Sequence, residues 1–262
     1  MESGHQNQQA WNSGAYQAWL HRFGTPEEAA AKIKADPAKR VGSALQYMGE
    51  IRGKKIVNLL GSNGNKGIAL ALLGGEVTIV DFSEDNKVYA EEMAAAAGVK
   101  LDYVLADVLQ LPETILNGTC DVAFMEFGIL HYFQDLQPLF EVVAKLLRSG
   151  GTFVLQDFHP VSTKLISSRG TTANIRKHKV TGDYFDSSLH ETEVSFYKFL
   201  PEEKRQADVQ KVQLRHWTLG EIVTAVAAAG LFIQVLEELP NQSSDVFDKG
   251  IPKTFTLTAR KL

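Results

Sequence analysis

The sequence predicts an α/β fold: a Rossmann-like, doubly wound sheet that is parallel at its centre. Three observations carry this. First, short apolar runs of strand length alternate with helix-length segments from Lys54 to Phe158. Second, the run Ile56 to Leu60 leads into a turn with glycines at 61, 64 and 67, where backbone can approach a ligand because no Cβ intervenes. Third, the next run, Glu76 to Val80, ends in Asp81, 20 residues after Gly61, where a carboxylate can accept from ribose hydroxyls. Strand, glycine turn, helix, strand and acid read as a nucleoside-binding unit. The spacing is G-x-x-G-x-x-G, with Asn63 and Asn65 where further glycines are expected. Asparagine is the residue that best replaces glycine at positive φ.

The elements follow in order. Residues 1–50 read as a helical cap carrying Trp11, Tyr16, Trp19 and Phe23, broken near Gly24. Thr25 and Pro26 start a helix to Ala35, ended by Pro37, and Ser43 to Ile51 is a third candidate. Ile68 to Leu73 is the helix after the glycine turn, stopped by Gly74 and Gly75. Ser83 caps a helix to Ala97, and Gly98 stops it. Leu101 to Leu105 is a third strand, and Pro112 starts a short helix. Cys120 to Phe127 is a fourth strand, and Asp135 to Arg148 an amphipathic helix ended by Gly150 and Gly151. Thr152 to Phe158 is a fifth strand. The region 159–189 is polar and irregular. Glu191 to Phe199 and Val209 to His216 then read as an inserted antiparallel hairpin. Thr218 caps a helix to Ala229, and Leu231 to Glu237 and Thr254 to Arg260 are the closing strands.

Composition bounds the function. The chain has 262 residues and a net charge of −4, with no polybasic run to hold a phosphate backbone, so nucleic acid is not expected as a partner. Cys120 is the single cysteine and fits a reducing compartment. No apolar run approaches the roughly 18 residues that cross a bilayer. The polar start lacks the apolar stretch of a secretory signal, so a cytoplasmic protein, monomer or homodimer, is expected. No C-x-x-C or H-E-x-x-H pattern is present, and metal dependence is not expected.

At this point the chain resembles a family. IVNLLGSNGNKG, VDFSED, LADVLQLP, DVAFMEFGILHYF, SGGTFVLQDFHP and HWTLGEIVTAVAAAGL stand in one ordered series. That series is similar to the class I S-adenosylmethionine-dependent methyltransferases, most of all their small-molecule branch. The resemblance covers about 54–160 and 217–262. It implies a seven-stranded sheet with an antiparallel last strand and a single domain over 1–262. Residues 1–50 would be its cap, 51–160 its cofactor core, 161–216 its substrate-side insert and 217–262 the rest of the core. It implies S-adenosylmethionine as cofactor, S-adenosylhomocysteine as product, and methyl transfer to oxygen, nitrogen or carbon of a small molecule.

Position by position, the resemblance implies that Gly61, Ser62, Asn63 and Gly64 line the methionine part. Asp81 would hold both ribose hydroxyls, with Phe82 beside the adenine and Ser83 also among the cofactor-binding residues. Ala106, Asp107 and Val108 would take the adenine, and Glu126, Phe127 and Gly128 would lie under the sulfonium. Asn58 stands where the family's first strand usually has an acid. An NAD(P)-binding oxidoreductase and a non-catalytic binding module remain the alternatives. The chain has no Tyr-x-x-x-Lys pair for hydride chemistry.

Two histidines follow strand ends on the expected ligand edge. His131 and His159 are candidate general bases near neutral pH, or else histidines that fix their loops. His216 is read as structural, and nothing marks His178 or His190. Trp11 and Tyr16 are candidate lid residues. Tyr132, Tyr184 and Phe185 are candidates for an acceptor pocket, with packing the competing role for each.

Overall fold

A computed structural model describes residues 2–169, 177–204, 211–242 and 250–262. Eleven strands are assigned: β1 (Lys55–Leu59), β2 (Glu76–Asp81), β3 (Asp102–Leu105), β4 (Cys120–Glu126), β5 (Leu147–Phe158), β6 (Ile166–Arg169), β7 (Lys177–Val180), β8 (Leu189–Glu193), β9 (Lys211–Arg215), β10 (Leu231–Leu239) and β11 (Thr254–Lys261). The α-helices are α1 (Glu2–Trp11), α2 (Ala15–Phe23), α3 (Pro26–Ala35), α4 (Pro37–Val41), α5 (Leu45–Met48), α6 (Asn65–Leu72), α7 (Glu84–Ala97), α8 (Gln137–Leu146) and α9 (Leu219–Ala228).

Seven strands form one sheet in the order β10-β11-β5-β4-β1-β2-β3. β3, β2, β1, β4 and β5 are parallel, and β11 runs antiparallel to both β5 and β10. The strand order reverses direction between β1 and β4, and in open sheets that crevice is where ligands sit.

Alternation along β1 builds both cores. Ile56 joins one buried cluster with Ile68, Ile79, Tyr89 and the cap residues Trp19 and Ile33. Val57 and Leu59 join the other, with Phe140, Phe153, Ile222 and Leu257. The cap with α6 and α7 therefore covers one face of the sheet, and α8 with α9 the other. The cap helices begin as their residues dictate: Thr25 and Glu28 close a full capping box on α3, and Asp36 caps α4.

Several expectations are corrected. Pro37 does not simply end a helix; it opens α4 directly after α3. The stretch after Pro112 is turn, and the nearby helical turn is Val108–Gln110, capped by Asp107. β5 begins at Leu147, so Gly150 and Gly151 lie inside the strand. The irregular region 159–189 contains the antiparallel pair β6–β7. The second hairpin is β8–β9, shorter than expected, with Tyr197–Phe199 a helical turn instead of strand. The loop joining its two strands lies partly outside the described residues.

Candidate functional site

Two cavities share a wall at the C-terminal edge of the parallel strands. One, about 370 Å³, is lined by Gly61, Ser62 and Asn63, by Asp81, by Glu126 to Ile129, and by Trp11, Trp19 and Tyr132. The other, about 720 Å³, is lined by Asp107, Val108 and the α1 residues Asn7 and Gln8. Leu60, Phe82 and Tyr132 belong to both, so the two are lobes of one groove.

Among the described residues, three non-glycine residues have left-handed backbone: Leu60 (φ 51°), Ser62 (φ 48°) and Phe127 (φ 37°). All three line the smaller lobe. Each costs about 1–2 kcal/mol relative to an ordinary conformation, so neighbours must hold it in place. The Ser62 N–H donates to Asp81 Oδ2 at 3.0 Å, and the Tyr103 hydroxyl donates to the Ser62 carbonyl at 2.9 Å. The Phe127 N–H donates to the Gln156 carbonyl at 2.7 Å, and the next N–H, of Gly128, donates to Asp157 Oδ1 at 2.6 Å. Asn63 and Asn65 were expected to adopt positive φ and do not. Leu60 and Ser62 take it instead, and Asn63 Oδ1 accepts from the Asn65 backbone and side chain. A Cβ on Gly61 would stand 2.8 Å from Asn58 Oδ1 and from Ile79 Cγ2, and one on Gly64 2.8 Å from Ala90 Cβ. Close packing forbids a side chain at either position.

Asp81 is half-buried, and desolvation pushes its pKa up against the hydrogen bonds it accepts. Oδ1 accepts from the Ser83 N–H at 3.0 Å and from Asn86 Nδ2 at 3.2 Å, while Oδ2 accepts from Ser62. A carboxylate has about four acceptor positions, so these three bonds leave room for a further donor. Phe82 lines both lobes. Ser83 is fully buried and caps α7; it does not reach the groove. Ala106 also stands back, its N–H donating to the Asp81 carbonyl. Asp107 and Val108 line the larger lobe, and the Asp107 carboxylate accepts from the Leu109 N–H and from Gln110 Nε2.

Glu126 ends β4 at the smaller lobe. Its Oε2 is buried without a hydrogen bond. The Lys66 ammonium forms an ion pair with it at 3.4 Å and also donates to the Val41 carbonyl. Burial raises the Glu126 pKa, and the cations Lys66 and Arg40 oppose that rise. Asn58, in the first strand, is likewise buried with Oδ1 unpartnered, its amide donating to the Phe124 carbonyl.

Both candidate bases lie outside the groove. His159 is buried; Nδ1 accepts from the Val161 N–H at 3.1 Å, so Nε2 carries the proton toward Glu238 Oε1 at 2.6 Å. It locks the turn after β5 to β10. His131 lines a separate cavity of about 40 Å³ with Asp157 and His216. Burial, then the neighbouring His216, pushes its pKa down to about 4. Asp157 in the same cavity is raised to about 6 by burial.

Of the aromatic candidates, Trp11 and Tyr132 line the groove, their rings 6.3 Å apart, and Trp11 also meets Phe196 at 5.4 Å. Tyr16 instead donates to Glu92 at 2.6 Å, which helps push its pKa to about 12, and lines neither lobe. The Tyr184 hydroxyl accepts from the Leu219 N–H, and its ring packs on the exposed Phe185. Both work as structure for the insert. His190 stacks near His216 at 5.4 Å, and the side chain of His178 lies outside the described residues. Arg22, Arg40, Lys66 and Trp19 line the smaller lobe without having been expected. Lys66 had a signal, a charge just after the glycine turn. Arg22 and Arg40 had none, because only tertiary packing brings the cap there. No group of His, Cys, Asp and Glu among the described residues could hold a metal ion.

Residues 56–151 match a family model described as a methyltransferase domain. No curated protein matches the chain by sequence. Solved structures do resemble it. An S-adenosylmethionine-dependent methyltransferase from Mesorhizobium loti is 22% identical, with TM-score 0.63 over 86% of this chain and 99% of that one. One from Clostridium acetobutylicum is 16% identical, with TM-score 0.61 over 87% and 94%. The glycopeptide N-methyltransferase MtfA, solved with sinefungin, is 15% identical, with TM-score 0.55 over 86% and 95%. Residues 56–151 thus match a methyltransferase domain, and the chain shares its fold with solved S-adenosylmethionine-dependent methyltransferases.

Proposed function

We propose that the groove binds S-adenosylmethionine and that the protein transfers its methyl group to a small-molecule acceptor. The observation that carries this is the concentration of left-handed Leu60, Ser62 and Phe127 on one lobe that continues past Phe82 into a second. In this reading the adenine lies by Asp107 and Val108, a ribose hydroxyl donates to the Asp81 carboxylate, and the methionine part crosses Gly61 to Asn63. Glu126 Oε2, ion-paired with Lys66 but without a hydrogen bond, fits an ammonium donor there.

When bound, the cofactor supplies a methyl group on a sulfonium, open to in-line displacement. The chain's own share is alignment and exclusion of water. Trp11 and Tyr132 enclose the smaller lobe, and their π faces suit a nearby cation. Among the described residues no histidine lines the groove, so the proposal needs no imidazole base. Calorimetry tests it: S-adenosylhomocysteine should bind at about micromolar Kd, near −8 kcal/mol, and NAD(H) should give no heat. Tight NAD(H) binding with a flat S-adenosylhomocysteine titration would replace this reading with a dinucleotide one.

A further inference from the structure

Two guanidinium groups reach the smaller lobe from the cap without a salt bridge among the described residues, though Arg40 lies near enough to Glu126 to act on its pKa. Arg22 of α2 and Arg40 of α4 both line it. Among the described residues neither stands within 4.0 Å of a carboxylate, whereas Arg148 pairs with Asp121 and Arg215 with Glu221. The lobe's own acids are otherwise engaged: Asp81 takes three hydrogen bonds, and Glu126 has Lys66 as its nearest cation. Arg22 is held in place by stacking on Phe199 at 3.9 Å and Phe23 at 4.8 Å. Its pKa is lowered, first by desolvation and then by Arg40, so the two cations feel one another. Arg22 is exposed and Arg40 half-buried, and an anion between these like charges would relieve their mutual repulsion. Beside them stand Trp11, Trp19, Phe23 and Phe127, which offer flat apolar faces.

We propose that the methyl acceptor is an aromatic carboxylate, its carboxylate held by Arg22 and Arg40 and its ring among the tryptophans of the cap. This rests on the reading of the groove as the cofactor site. It assigns the guanidinium pair to the acceptor rather than to the carboxylate of the cofactor. The reason is placement: Arg22 is anchored on the cap and the insert, not on the glycine turn that would carry the methionine part.

The test uses benzoate as probe and benzyl alcohol as its uncharged counterpart. Each is titrated into the full-length protein saturated with S-adenosylhomocysteine, with Trp11 and Trp19 fluorescence as readout. Benzoate should bind at least about tenfold tighter than benzyl alcohol. The Arg22→Gln/Arg40→Gln variant should lose that preference, and Arg40→Lys should keep part of it. S-adenosylhomocysteine affinity should stay within about threefold of wild type, roughly 0.7 kcal/mol. Equal binding of the two probes to the wild type would overturn the proposal. So would an unchanged preference in the double variant, or a loss of S-adenosylhomocysteine affinity of about tenfold, which would give the arginines to the cofactor. A wild type that binds benzoate but never S-adenosylhomocysteine would sink the cofactor reading while leaving the anion site standing.

Discussion

The two edges of the sheet each hold a large cavity, and they differ in kind. At the N-terminal edge, strand starts and the Gly74–Gly75 turn enclose about 670 Å³ around Lys55, Glu76, Lys100 and Cys120. At the C-terminal edge the two lobes of the groove enclose about 370 Å³ and 720 Å³. Yet all three left-handed non-glycine residues lie at the second edge and none at the first. Volume alone does not separate the two edges. What distinguishes the second is backbone held in a costly shape by hydrogen bonds, the kind of strain that gathers at functional sites.

The largest effect should come from Asp81→Asn. One acceptor oxygen would become a donor facing the Ser62 N–H or the Ser83 N–H and Asn86 amide. S-adenosylhomocysteine affinity should fall about 10–100-fold, and stability by about 1–3 kcal/mol. Calorimetry and denaturant unfolding read the two effects separately, and unchanged affinity would remove the C-terminal edge from contention.

A paired substitution sharpens the comparison. Gly61→Ala and Gly75→Ala each drive a Cβ into a neighbour at 2.8 Å, Asn58 Oδ1 with Ile79 Cγ2 in the first and Ile56 Cδ1 in the second. Each should cost about 1–3 kcal/mol of stability. Only Gly61→Ala should also weaken S-adenosylhomocysteine binding, and equal losses of affinity would erase the distinction between the edges.

His131 and Asp157 separate what lies beside the groove from what lines it. His131 titrates at about 4 in the fold against 6.5 unfolded, so its contribution to stability is lost as pH falls from about 6.5 to 4. Asp157, at about 6 against 3.8, has the opposite sign: it stabilises at low pH, and that contribution is lost as pH rises through about 6. The two oppose each other between pH 4 and 6. Relative to wild type, His131→Gln should gain stability on acidification across that window, by up to about 3 kcal/mol, and Asp157→Asn should lose it. Unfolding curves at several pH values would show whether the slopes part in these directions. Neither variant should shift cofactor affinity more than about threefold.

Tyr16→Phe should do least. It removes one hydrogen bond, to Glu92 at the surface, worth about 0.5–1 kcal/mol in thermal unfolding. S-adenosylhomocysteine titration should be unaltered, and a weakened isotherm would return Tyr16 to the groove.

The strands of the core were legible because buried parallel strands announce themselves as continuous apolar runs, as in Ile56 to Leu60 and Glu76 to Val80. Caps were legible too: Thr25, Ser83 and Thr218 each accept from the backbone as their residue type suggests. The strain was not legible. Nothing about Leu60 or Ser62 as residue types signals positive φ; Asp81, Tyr103 and the packing of Gly61 impose it from a distance. His131 and His159 stood at the right strand ends, but a strand end fixes a residue's position and not the direction of its ring. The cap's arginines were invisible because the sequence does not say where a leading helical segment docks. The β6–β7 hairpin was missed because the segments ISSR and KHKV show no apolar alternation.

Asn86 joins two parts of the molecule that are far apart in sequence. Its amide nitrogen donates to Asp81, and its carbonyl oxygen accepts from the Trp19 indole at 2.8 Å, buried beneath the cap. One side chain therefore keeps the acid and the overlying helices in register. By thermodynamic reciprocity, whatever steadies the acid steadies those helices, so filling the groove would make the leading segment harder for a protease to cut.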